Sequence, residues 1–211
     1  MSSDIEEKTM AAENEAEILL LLAAFYNFNP ESSSIDAMKN VDVESIGDDE
    51  VRECFRKITG YANDTVAGEE SDPVIELKRD WTKLFRGVSP AYGPKAPYEA
   101  LYTGDKGTKL FSDLTQLYLD EGYCGYSELK NRQDYIGVEL DFAGFLALLR
   151  VNALNAGDSA EFDRLSEVLE SFVREHVGSW FPQFYKEAQE HIGTDYYRGV
   201  LDLTAIMLRL T

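Results

Sequence analysis

Several things that catalytic proteins commonly carry are missing from this sequence. The two cysteines, Cys54 and Cys124, stand far apart and neither belongs to a Cys-x-x-Cys pair. A disulfide framework or a clustered zinc site is therefore not expected. His176 and His191 are the only histidines, and neither completes the Glu-x-x-His that a di-iron bundle carries on two of its helices. There is no Gly-x-Ser-x-Gly elbow and no phosphate loop of the Walker type. Positive charge is scarce as well: 20 Lys and Arg face 39 Asp and Glu, a formal net charge of −19. That excludes nucleic acid as a partner, since phosphate binding rests on Lys and Arg, and disfavours docking on an anionic leaflet. The longest apolar run, 18–25, is shorter than the roughly 20 residues that span a bilayer. The first ten residues are polar and acidic, the reverse of a secretory signal. A cytoplasmic protein without stable membrane insertion is expected.

What is present is helical periodicity. Hydrophobic residues make up 44% of the 211 and aromatics 12%, enough for an ordinary core rather than disorder. Apolar positions recur at three- and four-residue spacing over most of the chain. They predict helices over 13–28, around Ile35 and Met38, and from the Asp48-Asp49-Glu50 run to Ala62. Further helices are predicted over 74–85 behind Pro73, 109–120, 134–155, from an Asp158–Glu161 capping box to about His176, and over 180–192 and 195–210. The expected fold class is all-α: a single globular domain, 1–211, of about nine to ten helices, with 1–12 flexible and a hinge in the proline-rich stretch 86–97. A loop is expected over 121–132.

Few residues group into recognisable chemistry. The glycine-bearing turn 103–108 has phosphate-loop flavour but the wrong spacing. Glu187 and His191 lie four apart with no third ligand. Glu139 and Asp141 are two apart on a helix and so face different ways, one of them packed or hydrogen-bonded. The informative constellation is aromatic and acidic: Trp81, Leu84 and Phe85; then Pro97, Tyr98, Glu99 and Tyr102; then Gln133, Asp134 and Tyr135. Amphipathic aromatics beside carboxylates suit a groove for an apolar peptide bearing positive charge, though core packing is the simpler reading of the same residues. Asp134, at the start of a predicted helix, suits an N-cap as well as a binding site.

The motifs carry a resemblance. Trp81-Thr82-Lys83-Leu84-Phe85 followed by Gly87, then Pro97-Tyr98-Glu99-Ala100-Leu101-Tyr102, resembles a paired segment of the TorD/DmsD/NarJ chaperones, the redox-enzyme maturation proteins. The run from Asp134 to Phe142 is similar to their Pro-Asp-His signature and the helix after it. His176, Trp180 and Phe184 match their His-Leu-x-x-Trp-x-x-x-Phe, and Tyr196-Tyr197-Arg198 resembles the Phe-Tyr-Arg that opens their last helix. The likeness runs from about Val74 to the C-terminus.

This resemblance implies a cytoplasmic chaperone without turnover, hence no catalytic residue, no metal site and no stably bound cofactor. Its partners would be the twin-arginine signal peptide and the body of a molybdoenzyme catalytic subunit. Export would be delayed until the client receives its molybdopterin guanine dinucleotide. Peptide binding would fall to Trp81, Leu84, Phe85, Pro97, Tyr98, Glu99, Tyr102, Asp134 and Tyr135, with His176, Trp180 and Phe184 as structural motif residues. The family's Pro-Asp-His reads Gln133-Asp134-Tyr135 here, so a tyrosine hydroxyl stands where the histidine donor would be. A monomer or a domain-swapped dimer is expected. The alternatives are an adaptor subunit of a redox complex and a nucleotide hydrolase using the Gly104–Gly107 turn.

Overall fold

A computed structural model of the chain describes residues 2–64, 72–89, 91–104 and 108–211, with side chains from residue 6 onward. Pro90 and residues 105–107, which include Lys106 of the glycine-bearing turn, lie outside the described residues.

The fold is all-α. In chain order the helices are α1 (Ser2–Asn27), α2 (Ser32–Lys39), α3 (Asp49–Asp64), α4 (Pro73–Phe85), α5 (Glu99–Thr103), α6 (Thr108–Asp120), α7 (Gly125–Leu129), α8 (Ile136–Ala156), α9 (Ser159–Glu175), α10 (Val177–Gln189) and α11 (Asp195–Leu210). A 3-10 turn covers Val43–Ser45. Leaving aside the five-residue α5 and α7, nine helices remain among the described residues, in line with the nine to ten expected.

Local chemistry sets several of the ends. Asp72 accepts the Val74 N–H at 2.9 Å ahead of Pro73, whose missing N–H costs nothing in a first turn. Asp158 accepts the Glu161 N–H at 3.0 Å to start α9. Asp48 does the same for Val51 at 2.9 Å, so the acidic triplet caps α3 and complements its dipole. Gly157, with φ 72°, closes α8 in the left-handed conformation that a side chain resists. Two expectations are corrected. The first helix starts at Ser2 rather than Glu13. The loop expected over 121–132 contains α7.

The chain divides into two compact units. Unit 1 comprises 1–27, 98–180 and Thr211; unit 2 comprises 28–97 and 181–210. Within unit 1, α1 packs along α8 and α8 along α9. Ala12, Ala16, Leu19, Ala23 and Tyr26 repeat at alternating spacings of four and three and are buried, the seam of a helix laid against another. Gly144 lets α1 approach: a Cβ there would sit 2.7 Å from the Leu20 side chain. The ends of α1 and α8 are tied by polar bonds. Asn27 Nδ2 donates to the Gly137 carbonyl at 2.7 Å, and the Tyr135 hydroxyl donates to the Tyr26 carbonyl at 2.8 Å.

Within unit 2, α3 packs on α11, and α2 on α3. The buried stripe Val51, Phe55, Ile58 and Ala62 is the one its periodicity predicted. Asp80, 5% exposed, accepts the N–H groups of Gly193 and Thr194 and the Thr194 hydroxyl at 2.8–3.1 Å. A buried carboxylate thereby fixes the turn that opens α11.

Candidate functional site

The motif residues separate into two clusters, one in each unit. In unit 2 they form core. Leu84, Phe85 and Phe184 are at most 1% exposed and Trp81 6%. Phe85 meets Trp81 and Tyr197 edge to face, with ring centroids 6.3 and 5.4 Å apart, and Phe184 at 6.3 Å. Pro97 is also buried. Trp81, Leu84 and Phe85 therefore spend their apolar area inside unit 2.

In unit 1 the motif residues converge on a set of buried carboxylates. Tyr98 and Tyr135 form an isolated antiparallel bridge, with ring centroids 5.1 Å apart. This brings the start of α5 beside the start of α8. The Glu99 N–H donates to the Asp134 carbonyl at 2.9 Å, and the Ala100 N–H to Asp134 Oδ2 at 3.2 Å. Asp134 is thus a cap, but of α5, a helix 34 residues earlier; α8 has Tyr135 at its N-cap position, with no side-chain cap bond. The expectation that Asp134 caps its own helix is corrected: a bridge between distant segments determines which N–H groups its carboxylate meets.

Asp134 is fully buried and already holds a cation. Arg132 Nε donates to Oδ1 at 2.9 Å and Nη2 to Oδ2 at 2.6 Å, the bidentate fork that a guanidinium makes with a carboxylate. The guanidinium carbon also lies 4.5 Å from the centre of the Tyr98 ring and 4.8 Å from that of Phe111, within the range of cation–π attraction. Tyr98 and Phe111 are half-buried, and the Arg132 side chain is 48% exposed. One carboxylate and two ring faces therefore enclose one arginine at the surface. Neither Arg132 nor Phe111 was anticipated. Nothing in a loop residue or a helix-face phenylalanine marks such a pairing in advance.

The other two acids are buried as well. Glu99 is 5% exposed, and its Oε2 lies 3.0 Å from His176 Nδ1. His176 is the C-cap of α9, with its ring 5.1 Å from that of Phe172. Glu139 is fully buried; its Oε2 accepts the Trp180 indole N–H at 3.1 Å, while Oε1 has no hydrogen-bond partner among the described residues. Burial first, and then the nearby Glu99 charge, hold the Glu139 carboxyl well above the usual carboxylate range, with Trp180 opposing. Burial of this kind favours the neutral carboxyl over the carboxylate. Tyr102 stacks on Trp180 at 5.4 Å with 23° between the planes. Asp141, on the other side of α8, accepts from the Tyr123 hydroxyl at 2.5 Å, so the two acids diverge as their spacing required. The Tyr135 hydroxyl is committed to the Tyr26 carbonyl. The tyrosine that replaces the family histidine therefore braces α1 against α8.

A family model described as nitrate reductase delta subunit matches residues 47–186. The chain belongs to this family, the TorD/NarJ family. The matched stretch holds every motif residue named above from Trp81 to Phe184 and stops short of Tyr197 and Arg198. Among individual relatives, the chaperone protein TorD of Vibrio parahaemolyticus is 27% identical over 145 residues, 67% of this chain and 65% of that protein. The chaperone protein TorD of Photobacterium profundum is 26% identical over 142 residues, 66% and 63% of the two chains. The chaperone protein TorD of Vibrio atlanticus is 23% identical over 206 residues, 94% and 93%. The first two matches span a little under two thirds of those relatives' own length. Among the described residues no helix of this TorD/NarJ family member is long and apolar enough to cross a membrane, and no group of three His, Cys, Asp or Glu is placed to hold a metal ion.

Proposed function

We propose that this chain is a cytoplasmic maturation chaperone that works by binding rather than turnover. Its partner is the catalytic subunit of a molybdoenzyme; it binds the twin-arginine signal and holds back export until the cofactor is inserted. Family membership supports the chaperone class. The observation that carries the peptide part is the guanidinium seat in unit 1: a fully buried Asp134 carboxylate with the faces of Tyr98 and Phe111 around it. That is the chemistry which selects arginine over lysine, because an ammonium neither forks nor stacks flat. The acidic surface, at net charge −19, would speed the approach of a basic signal. The half-buried Tyr98 of the seat, and the half-buried Tyr102 further along α5, offer amphipathic surface for the residues that follow the arginines. Arginine recognition in this proposal rests on unit 1 alone.

The test is co-expression with a molybdoenzyme catalytic subunit, with and without its signal segment. The precursor should co-purify with this chain, the signal-less form should do so less, and deleting the chaperone should release cofactor-free enzyme for export. Unchanged export and cofactor content without the chaperone would sink the proposal. The family's description as a delta subunit favours one other reading, a permanent subunit of a reductase. Fixed stoichiometry in the finished enzyme would select it.

A further inference from the structure

The arginine seat in unit 1 is full, and its occupant belongs to the chain. We infer that Arg132 is an exchangeable internal ligand: it holds the seat formed by Asp134, Tyr98 and Phe111 in the free chaperone, and an arginine side chain of the incoming peptide takes its place. The inference rests on the peptide-binding function proposed above.

Three observations support exchange over simple addition. The Asp134 carboxylate is fully buried and already makes both fork bonds to Arg132, while Oδ2 also accepts the Ala100 N–H. A second guanidinium finds no equivalent pair of lone-pair positions there, so it must displace the first. A buried carboxylate left without its cation is costly. The seat is therefore seldom left open, and only a group with the same planar fork refills it fully. Finally, Arg132 is built to leave. Its side chain is 48% exposed, and among the described residues its side-chain hydrogen bonds go to Asp134 alone.

The backbone around it does not need to move. The Arg132 carbonyl accepts the Tyr135 N–H at 3.1 Å. Next to it, Asn131 Nδ2 donates to Asn27 Oδ1 at 3.1 Å, which holds the loop to the end of α1. Lys130 enters this loop in the left-handed conformation, φ 55°. The anchored loop leaves rotation of one side chain as the motion that opens the seat. The free chaperone would then leave its buried charge vacant for only a small part of the time, and peptides lacking arginine would meet a mostly occupied site. An internal competitor lowers apparent affinity by the fraction of time it occupies the seat.

The experiment uses the full chain and a synthetic peptide with two consecutive arginines followed by an apolar run. Its affinity is measured for the wild type, Arg132→Ala and Arg132→Lys, with the fold of each checked by circular dichroism and Tm. Arg132→Ala should bind roughly tenfold more tightly than the wild type, the gain expected if Arg132 fills the seat about nine-tenths of the time. Arg132→Lys, which keeps the charge but loses the fork, should fall between. The wild type gives a direct readout that needs no stable variant. The Arg132 Nε–H NMR signal should move to the position of a solvated arginine as the peptide saturates the chain, while a labelled peptide arginine acquires the protected one. Saturable peptide binding with an unmoved Arg132 signal, or with equal or weaker binding by a folded Arg132→Ala, overturns exchange and leaves the chaperone proposal standing. No binding by any of the three proteins overturns both.

Discussion

Arg132 and Asp134, two residues apart, form a closed fork with N–O distances of 2.9 and 2.6 Å, one partner half-exposed and the other fully buried. The same carboxylate caps α5 through the Ala100 N–H. One side chain thus joins the entry of α8, the start of α5 and an arginine, so the site is also a structural joint of unit 1.

The unequal burial of the pair predicts unequal losses. Asp134→Asn releases a guanidinium that water can solvate and keeps an oxygen for the cap. It should cost about 1–2 kcal/mol in urea unfolding. Arg132→Ala leaves a buried charge with one fewer partner and should cost at least as much. The double variant should be less destabilised than the sum of the singles, by about 1 kcal/mol or more. Strict additivity would show that the fork contributes nothing.

Glu139 predicts a pH dependence. Its carboxyl holds its proton in the folded chain at pH values where the unfolded chain has lost it. The folded state then binds more protons, so stability falls as pH rises above the ordinary glutamate range of about 4.3, by up to roughly 1.4 kcal/mol per pH unit. Glu139→Gln mimics the neutral acid and can still accept from the Trp180 indole. In melting scans between pH 5 and 8 it should flatten that decline and be the more stable protein at the upper end. An unchanged slope would mean that Glu139 is ionised when folded.

Tyr135→Phe removes the bond to the Tyr26 carbonyl and leaves that acceptor buried. A loss of about 1–2 kcal/mol is expected, with peptide affinity unchanged, because the hydroxyl braces two helices. A selective loss of affinity at constant Tm would instead return Tyr135 to the peptide site.

The two thiols should separate cleanly. Cys54 is buried on α3, and burial followed by the Asp202 charge pushes its thiol up to about 11, whereas Cys124 is exposed. Iodoacetamide at pH 8 should modify Cys124 alone in the native chain and both after unfolding. Fast native labelling at Cys54 would contradict the packing of α3 on α11.

Local signals in the sequence carried most of the fold. Asp72-Pro73 and Asp158–Glu161 announce their helices within four residues, and the stripe on α3 follows from spacing alone. The start of α1 was missed because residues 2–12 offer good helix formers, with Glu, Lys, Met and Ala, but no apolar stripe. Helices α5 and α7 are too short for any period to register. At the site, the residue types at 98, 99 and 134 pointed to cation recognition. Their partners were not legible, because each lies on a different segment: Phe111 on α6, His176 at the end of α9 and Ala100 on α5. Trp81 and Phe85 read equally well as core or as contact, and only the packing of Tyr197 and Phe184 around Phe85 separates the two.

Whether the seat selects arginine is decided by calorimetric titration of the chain with a twin-arginine signal peptide, alongside the same peptide with both arginines changed to lysine. An arginine-selective seat predicts saturable binding of the arginine peptide that weakens with added salt, at least tenfold weaker binding of the lysine peptide, and the loss of that preference in Asp134→Asn. Equal affinity for the two peptides, or no saturation with either, would contradict it.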